Sequence, residues 1–581
     1  SGTSGAGENS TQSEEAPTAT SSKTEHTITE KTVPIYYTKA KNKDEITLAF
    51  LDGCEDVPYV SLETWKEQLI RIYTEGYRDD NRKDPGYRLD LSVEGDQAVY
   101  TRDNQYTLTF DFANDTMEFM DFDAFLKDSG QEQLIDIATL DGRSDDDFNK
   151  YVKTKGGYDR YGRELVLNLA DYHIDLVKSG DGCYVPLQTM ADFLLSTQYV
   201  NVFFNGEAVV ISINGGMKKE DREKLSGLGK IYYSAEKGQR SEALAEFSYN
   251  ELCLVLDSMY GLKEVHGIEN FDELFDETGL KYRLLDPDPN TADAALYELI
   301  DKHLDDLHSS FDTTSYLAGS EPSWDMENTG TTYTSFVDSF LKYHYARADY
   351  YPDGCPGYEE VGNTAYITFD SFLFPEDDKV DYYKDDKPDP DAKDTVGLLL
   401  YSFDQIMREG SPIENVVMDL SNNTGGQATA AVYAIGMFLR DASVSYEDTL
   451  SGARVVNSYV VDTNLDGKYN KKDSLFGKGL KLYCLTSPVS FSCGNLVPSV
   501  FKHSDEVTMI GKTSGGGACT VLPLTTAYGT AFKISGSYRL SFVKNGAFYN
   551  IDQGAEPDYT IGHPEDFYNR QSLTEFINSI Y

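Results

Sequence analysis

The chain has 581 residues and carries 97 Asp and Glu against 51 Lys and Arg, a formal net charge of −46. At roughly 100–200 residues per domain this length implies about three units, and a 40% apolar fraction with 42 tyrosines excludes wholesale disorder. Such acidity repels phosphate backbones and anionic lipid, which argues against nucleic-acid binding or a polybasic membrane patch, and no run of 18 apolar residues is present to span a bilayer.

Residues 1–33 read as a disordered tether, since the stretch up to residue 30 is mostly Ser, Thr, Gly, Glu and Ala without apolar periodicity. The composition resembles the spacer that follows the lipid-modified cysteine of bacterial surface lipoproteins. The expectation is an extracellular or cell-surface protein with a lipid anchor upstream of residue 1. The seven cysteines, Cys54, Cys183, Cys253, Cys355, Cys484, Cys493 and Cys519, are odd in number, widely spaced and lack a C-x-x-C. A disulfide framework or a zinc ribbon does not fit; buried small apolar residues do.

Residues 34–215 form a strand-rich α+β region. Thr107–Phe112 alternates as a half-buried strand, and Val200–Ile213 reads as two strands around an Asn205-Gly206 turn. Tyr59–Trp65 and Tyr184–Met190 repeat one element, a short strand passing into a helix at Ser61 or Pro186. This repeat resembles the copper amine oxidase N-terminal-like module, which implies a spacer or substrate-capture role. It implies no copper, because His173 stands without clustered ligands.

Residues 216–315 read as a helical approach. Ser248 and Glu251 have capping-box spacing, Leu252, Val255, Leu256 and Met259 share one face, and Gly261 is a stop signal. A second helix is expected from Thr291, after the prolines of Asp286–Asn290, running out in Asp306–Phe311. A histidine at that end, His308, is usually a cap to the helix dipole.

Residues 316–581 form the core. Asn415–Leu420 reads as a buried strand, Ser421–Gly426 as a turn, and Gln427–Leu439 as a helix. The amides of Gly425 and Gly426, at a helix N-terminus, suit a developing oxyanion; a phosphate cradle is not indicated, as no G-x-x-x-x-G-K-[ST] is present. Leu480–Leu485 is another strand, and Ser492 opens a helix through Phe501. A serine at a strand-to-helix junction serves acyl transfer, although helix caps are also serine for structural reasons. With Val507–Gly511 these segments read as βαβ units of a parallel sheet.

Five ordered elements then carry a resemblance to the C-terminal processing (tail-specific) peptidases and their tricorn-like relatives. They are Asp306–Phe311, Val416–Gly426, Ser492–Asn495, Ile510–Gly517 and Gly554–Asp558, with Gly362–Phe369 similar to the family's opening strand. The resemblance implies an α/β fold with a Clp protease/crotonase-like core and serine endopeptidase activity needing no cofactor. It implies Ser492 as nucleophile and the amides of Cys493 and of Gly425 or Gly426 as the oxyanion hole.

The tail-specific branch pairs its serine with a lysine, and glycine stands at that position here. The tricorn-like branch uses the earlier histidine, which points to His308 as general base. Asp552 is the expected orienting acid and Glu556 the second choice, since Ile551 occupies the usual Glu position; Lys512 stays open as an alternative base. Asn495 stands where an acid is usual. Pro322–Pro356 is Tyr- and Asp-rich and without parallel in the family.

Asp462–Asp473 matches the twelve-residue EF-hand loop: oxygen ligands Asp462, Asn464, Asp466, Asn470 and Asp473, the carbonyl of Lys468 at position 7, and Gly467 at position 6. A structural Ca2+ is the expectation, with an unoccupied Asp/Asn turn as the alternative. Three functional readings result: an exported serine endopeptidase, a binding lipoprotein on a degenerate peptidase core, and a crotonase-like acyl-CoA enzyme. The partner implied by the first two is a peptide or protein.

Overall fold

The structure, a computed structural model, describes residues 23–37, 43–78, 82–131, 150–160, 164–213, 215, 227–323, 325–376 and 379–581. Most of the expected tether lies outside the described residues. Its last part does not behave as a tether: a strand runs from Ile28 to Tyr37, because Val33, Ile35 and Tyr37 alternate into a core.

That strand lies inside a seven-stranded sheet between Lys43–Leu51 and Val209–Ile213. The repeated element is structural as well as textual. Tyr59–Ser61 and Gly182–Pro186 pair antiparallel, Val60 opposite Val185, and each passes into a helix, Leu62–Thr74 capped by Ser61 and Leu187–Leu194 entered at Pro186. The Asn205-Gly206 turn joins Val200–Phe204 to Val209–Ile213, as expected. A second, five-stranded meander holds the Thr107 strand, here Tyr106–Asp111.

The helical approach departs from expectation at both ends. The first of its two expected helices spans Glu242–Met259 and is capped by Ser241, whose hydroxyl accepts the Leu244 amide at 3.0 Å. Ser248 and Glu251 therefore lie inside the helix, buried; their spacing mimics a box, but the apolar stripe continues back through Leu244 and Ala245. The second helix, Pro289–Glu298, continues as a π-turn to Leu304 and stops there, with Asp305 at φ 47°. His308 thus sits in a turn after the helix and is not its cap.

The core is a six-stranded sheet ordered Tyr358–Val361, Thr364–Thr368, Asn415–Asp419, Lys481–Thr486, Val507–Gly511 and Tyr559–Thr560, parallel throughout except at its first pair. The helices Ala428–Leu439 and Cys493–His503 lie in the crossovers. Both faces are buried, as parallel sheets require. Ile367, Met418, Cys484 and Met509 face these helices. Tyr366, Val417, Tyr483 and Ile510 face the C-terminal helix Arg570–Ile580 and Thr331–Tyr350.

Thr331–Tyr350 is an unforeseen helix within the stretch that had no parallel. A second sheet packs alongside, built on Ala531–Ser541, Ala442–Asp448 and Arg454–Val461. Its edge strand is Val152–Arg160, donated by the N-terminal region and paired from Arg160 opposite Arg454 to Val152 opposite Val461. The boundary expected at residue 215 is therefore crossed by a β-ladder. All seven cysteines are free thiols, five of them buried.

Candidate active site

The site forms where the parallel strands end, the edge at which open α/β sheets place their ligands. After Lys481–Thr486 the chain turns through Ser487–Phe491 and enters the next helix at Ser492. Ser492 has φ 60° and ψ −122°, a strained conformation for a residue with a Cβ. Its amide donates to the Gly516 carbonyl at 2.9 Å, and its carbonyl accepts the Asn495 and Leu496 amides. The hydroxyl makes no capping hydrogen bond to the helix it opens. It meets the His308 ring instead, with Oγ 3.1 Å from Nε2. A structural cap therefore does not account for this serine.

His308 is held by the turn that carries it. Asp306 accepts the His308 amide at 3.1 Å, the Ser309 amide at 2.9 Å and hydroxyl at 2.8 Å, Tyr260 Oη at 2.7 Å and Ser535 Oγ at 2.6 Å. The imidazole packs on Phe491, ring centroids 4.7 Å apart. Burial holds its pKa below the ordinary histidine value, and the carboxylates of Asp306 and Asp552 pull partly the other way. The ring is therefore neutral near pH 7 and able to take a proton. Tyr260 and Ser535 were not singled out from sequence, and Asp306 reads there only as the opening residue of the Asp306–Phe311 element, with no role of its own.

The Gly425-Gly426 turn meets the serine from the neighbouring strand. Both glycines have positive φ, 113° and 139°, and a Cβ on Gly425 would lie 2.7 Å from Ser492 Cβ. A Cβ on Gly426 would lie 2.1 Å from the Phe372 carbonyl oxygen. The Gly425 amide donates to Asn423 Oδ1 at 2.9 Å, whereas no acceptor for the Gly426 amide is found among the described residues. That separates the two glycines: Gly426 is the one with a donor to offer an oxyanion, and Gly425 provides the close approach. Cys493 heads the helix beside it, its Sγ 3.5 Å from the Gly426 carbonyl. Asn423 ties the halves together, its carbonyl accepting the Phe491 amide at 3.0 Å.

Three expected participants lie elsewhere. Asp552 makes no hydrogen bond to His308: one oxygen accepts the Ala518 amide at 2.9 Å and the other Arg539 at 2.6 Å, so it acts on the ring through its charge alone. Glu556 is exposed, and its backbone carbonyl serves Lys502. Lys512 makes no hydrogen bond to Ser492 either; its backbone is clamped by Thr486. Among the described residues no acid bonds to His308 Nδ1. Asn495, where an acid is usual, is buried and structural, donating to the Ile551 carbonyl at 2.9 Å and accepting Ser514 Oγ at 2.6 Å. Of the loop residues, Asp462, Asp466 and Asp473 gather their carboxylates within 4.8 Å of one another.

Ser492, His308 and Gly426 line two spaces. One is a pocket of about 210 Å³ walled by Ala428, Tyr446, Leu496, Val521 and Leu540. The other is a cleft of about 850 Å³ bordered by Phe311, Tyr333, Phe336 and Phe491. A strained serine under a neutral imidazole, beside a glycine turn that offers the Gly426 amide and bordering a cleft and a smaller pocket, defines a serine-hydrolase type of site.

Residues 363–561 match the sequence model of peptidase family S41. Residues 363–561 thus form a serine-peptidase domain of the S41 type, which sets aside the acyl-CoA reading. His308 lies upstream of the matched stretch. Among solved structures the chain is similar to the photosystem II D1 C-terminal processing protease, with 18% identity over 35% of this chain and 43% of that one, TM-score 0.25. It is similar to a lipoprotein from Streptococcus agalactiae, with 15% identity over 59% of this chain and 97% of that one, TM-score 0.33. It is also similar to mature CPAF, with 10% identity, 58% and 96% coverage and TM-score 0.36. No curated protein matches the chain. The comparisons lend no support to a copper amine oxidase N-terminal-like module in residues 34–215.

Proposed function

We propose that the chain is a secreted or cell-surface serine endopeptidase with a Clp/crotonase-like core, cutting peptide bonds through an acyl-enzyme on Ser492 with His308 as general base. The observation that carries this reading is the 3.1 Å contact between His308 Nε2 and Ser492 Oγ at a serine that caps nothing. The Ser492 oxygen attacks the scissile carbonyl carbon while its proton passes to Nε2. The resulting oxyanion faces the amides of Gly426 and Cys493. His308 then returns the proton to the leaving amine, and water, deprotonated by the same nitrogen, releases the acyl group. The extracellular setting rests on the acidic composition and the Ser/Thr/Gly/Glu stretch at residues 1–30.

A fluorophosphonate probe should label the protein once, at Ser492, and Ser492→Ala should abolish labelling. His308→Ala should cut both labelling and peptide turnover on the order of 10⁴-fold. Labelling that survives Ser492→Ala would overturn the assignment. A second reading, a peptide-binding protein on a silent core, draws on the lack, among the described residues, of an acid bonded to His308 Nδ1. It predicts peptide binding by the wild type with neither labelling nor turnover.

A further inference from the structure

We propose that the Asp462–Asp473 loop binds one divalent cation, Ca2+ in preference to Mg2+, and that the ion braces the N-terminal region against the peptidase core. Three carboxylates, from Asp462, Asp466 and Asp473, come within 4.8 Å of one another, and the first and last are buried. Among the described residues none of the three forms an ion pair with a Lys, Arg or His. Carboxylates brought this close repel one another unless a cation or a shared proton lies between them.

The second observation is a single atom. Asp462 has no solvent-exposed area. Its Oδ2 accepts Tyr383 Oη at 2.5 Å and the Gly467 amide at 2.9 Å, while Oδ1 is buried with no hydrogen-bond partner. A fully buried carboxylate oxygen left without a donor costs free energy unless a cation fills its lone pairs. The sequence spacing is independent of both facts: positions 1, 3, 5 and 12 carry Asp, Asn, Asp and Asp, with glycine at 6.

The donors are all oxygen, which suits a hard cation and not zinc or copper. Asp462, Asn464, Asp466, the Lys468 carbonyl and Asp473 supply the set. The side-chain oxygens of Asn464, Asp466, Asn470 and Asp473 also accept loop amides, from Asp466, Lys468, Lys472 and, for Asp473, from Thr463 and Asn470, which fixes their direction. Such a many-oxygen loop fits Ca2+ better than Mg2+, which demands strict octahedral geometry and holds its waters. Asp in place of Glu at position 12 shortens the bidentate arm, so the dissociation constant belongs near 10⁻⁴–10⁻³ M, roughly the extracellular range.

The loop sits where three parts of the chain meet. The Asp462 amide donates to the Tyr151 carbonyl at 3.0 Å, and Tyr469 Oη to the Lys150 carbonyl at 3.2 Å, both in the segment entering the donated strand Val152–Arg160. Tyr383, on Asp462, belongs to the segment that begins at Phe372 against the glycine turn. A cation here fixes the last rung of the inter-region ladder and one end of the segment that supports Gly425 and Gly426.

Terbium luminescence sensitised by Tyr469 and Tyr383, with calcium titration calorimetry on the full chain, tests this. One equivalent should bind saturably, Ca2+ should displace Tb3+ at least tenfold better than Mg2+, and Asp466→Ala should weaken Ca2+ at least tenfold. Asp466 is exposed, so that variant keeps its fold; Asp462→Asn is the buried counterpart. Amide exchange at 150–152 and 383 should slow with Ca2+ in the wild type and not in Asp466→Ala. No saturable binding up to about 10 mM Ca2+, or equal binding by Asp466→Ala, would overturn the site, and unchanged exchange at 150–152 would overturn the brace. The readouts are unaffected by Ser492→Ala, so failure of the metal site and failure of the peptidase assignment remain distinct.

Discussion

Burial holds the His308 imidazole below the usual histidine pKa, with the charges of Asp306 and Asp552 opposing it. A general base works only when unprotonated, so kcat/KM should fall on the acid side of pH 6.5 with an apparent pKa below that value. Removing one negative charge disfavours the imidazolium further. Asp552→Asn should therefore move the acid limb to still lower pH, while keeping an oxygen for the Ala518 amide; an unmoved or raised limb would contradict the electrostatic role. Ser492 and His308 were legible in sequence because each lies in a short ordered motif. The partners of Asp552 were not, because Ala518 and Arg539 reach it only after the strands around Ala531–Ser541 have folded back. The aspartate of the Val416–Gly426 motif has a role that no spacing shows: Asp419 accepts the amide and hydroxyl of Ser421 and pairs with Arg570, 151 residues on.

At the scale of elements, that pair fastens the C-terminal helix Arg570–Ile580 to the end of the central strand Asn415–Asp419. The guanidinium and carboxylate are 2.6 Å apart, and both side chains are almost wholly buried. Removing one partner strands the other charge, a loss of about 3–5 kcal/mol. Arg570→Met should lower the melting temperature accordingly, and a change within error would show that the helix is held by Leu573 and Ile577 alone. The strands and crossover helices of the core were readable because their apolar runs are continuous and their glycines fall at the turns. The helix Thr331–Tyr350 was missed although Phe336, Phe340, Tyr343 and Arg347 recur at helical spacing, since tyrosines and aspartates crowd every face. The capping box at Ser248 failed for the opposite reason, a local signal overridden by a longer apolar stripe.

Over the whole molecule, two buried carboxyl pairs lie between the N-terminal region and the rest. Asp123 meets Asp448 beneath Ser451 and Tyr538, and Asp192 meets Glu251 beside Gln188 and Thr189. Burial, then the neighbouring carboxylate, pushes Asp123 and Asp192 well above the ordinary Asp value, and burial raises Glu251. Each pair is best served by holding a proton. With folded pKa values above the unfolded ones, the folded state binds more protons. Stability is then full below about pH 4, so far as these groups decide it, and falls as pH rises through the folded values. Thermal melts from pH 5 to 9 should show this decline, and Asp123→Asn or Asp192→Asn should flatten it; a steeper decline in the variants would contradict proton sharing. None of this was readable in sequence, where the four acids are separated by 325 and 59 positions.

The donated strand Val152–Arg160 carries a practical consequence. It covers the flank of Arg454–Val461 along the full length of that strand. A truncated enzyme beginning after residue 215 would leave bare the outward-pointing backbone donors and acceptors of that strand, those of alternate residues along its eight, beside buried Val455, Tyr459 and Val461. Such a fringe is a template for a second copy. The isolated catalytic half should dimerise or precipitate where the full chain stays monodisperse, and adding the 150–160 segment back as a peptide should restore solubility.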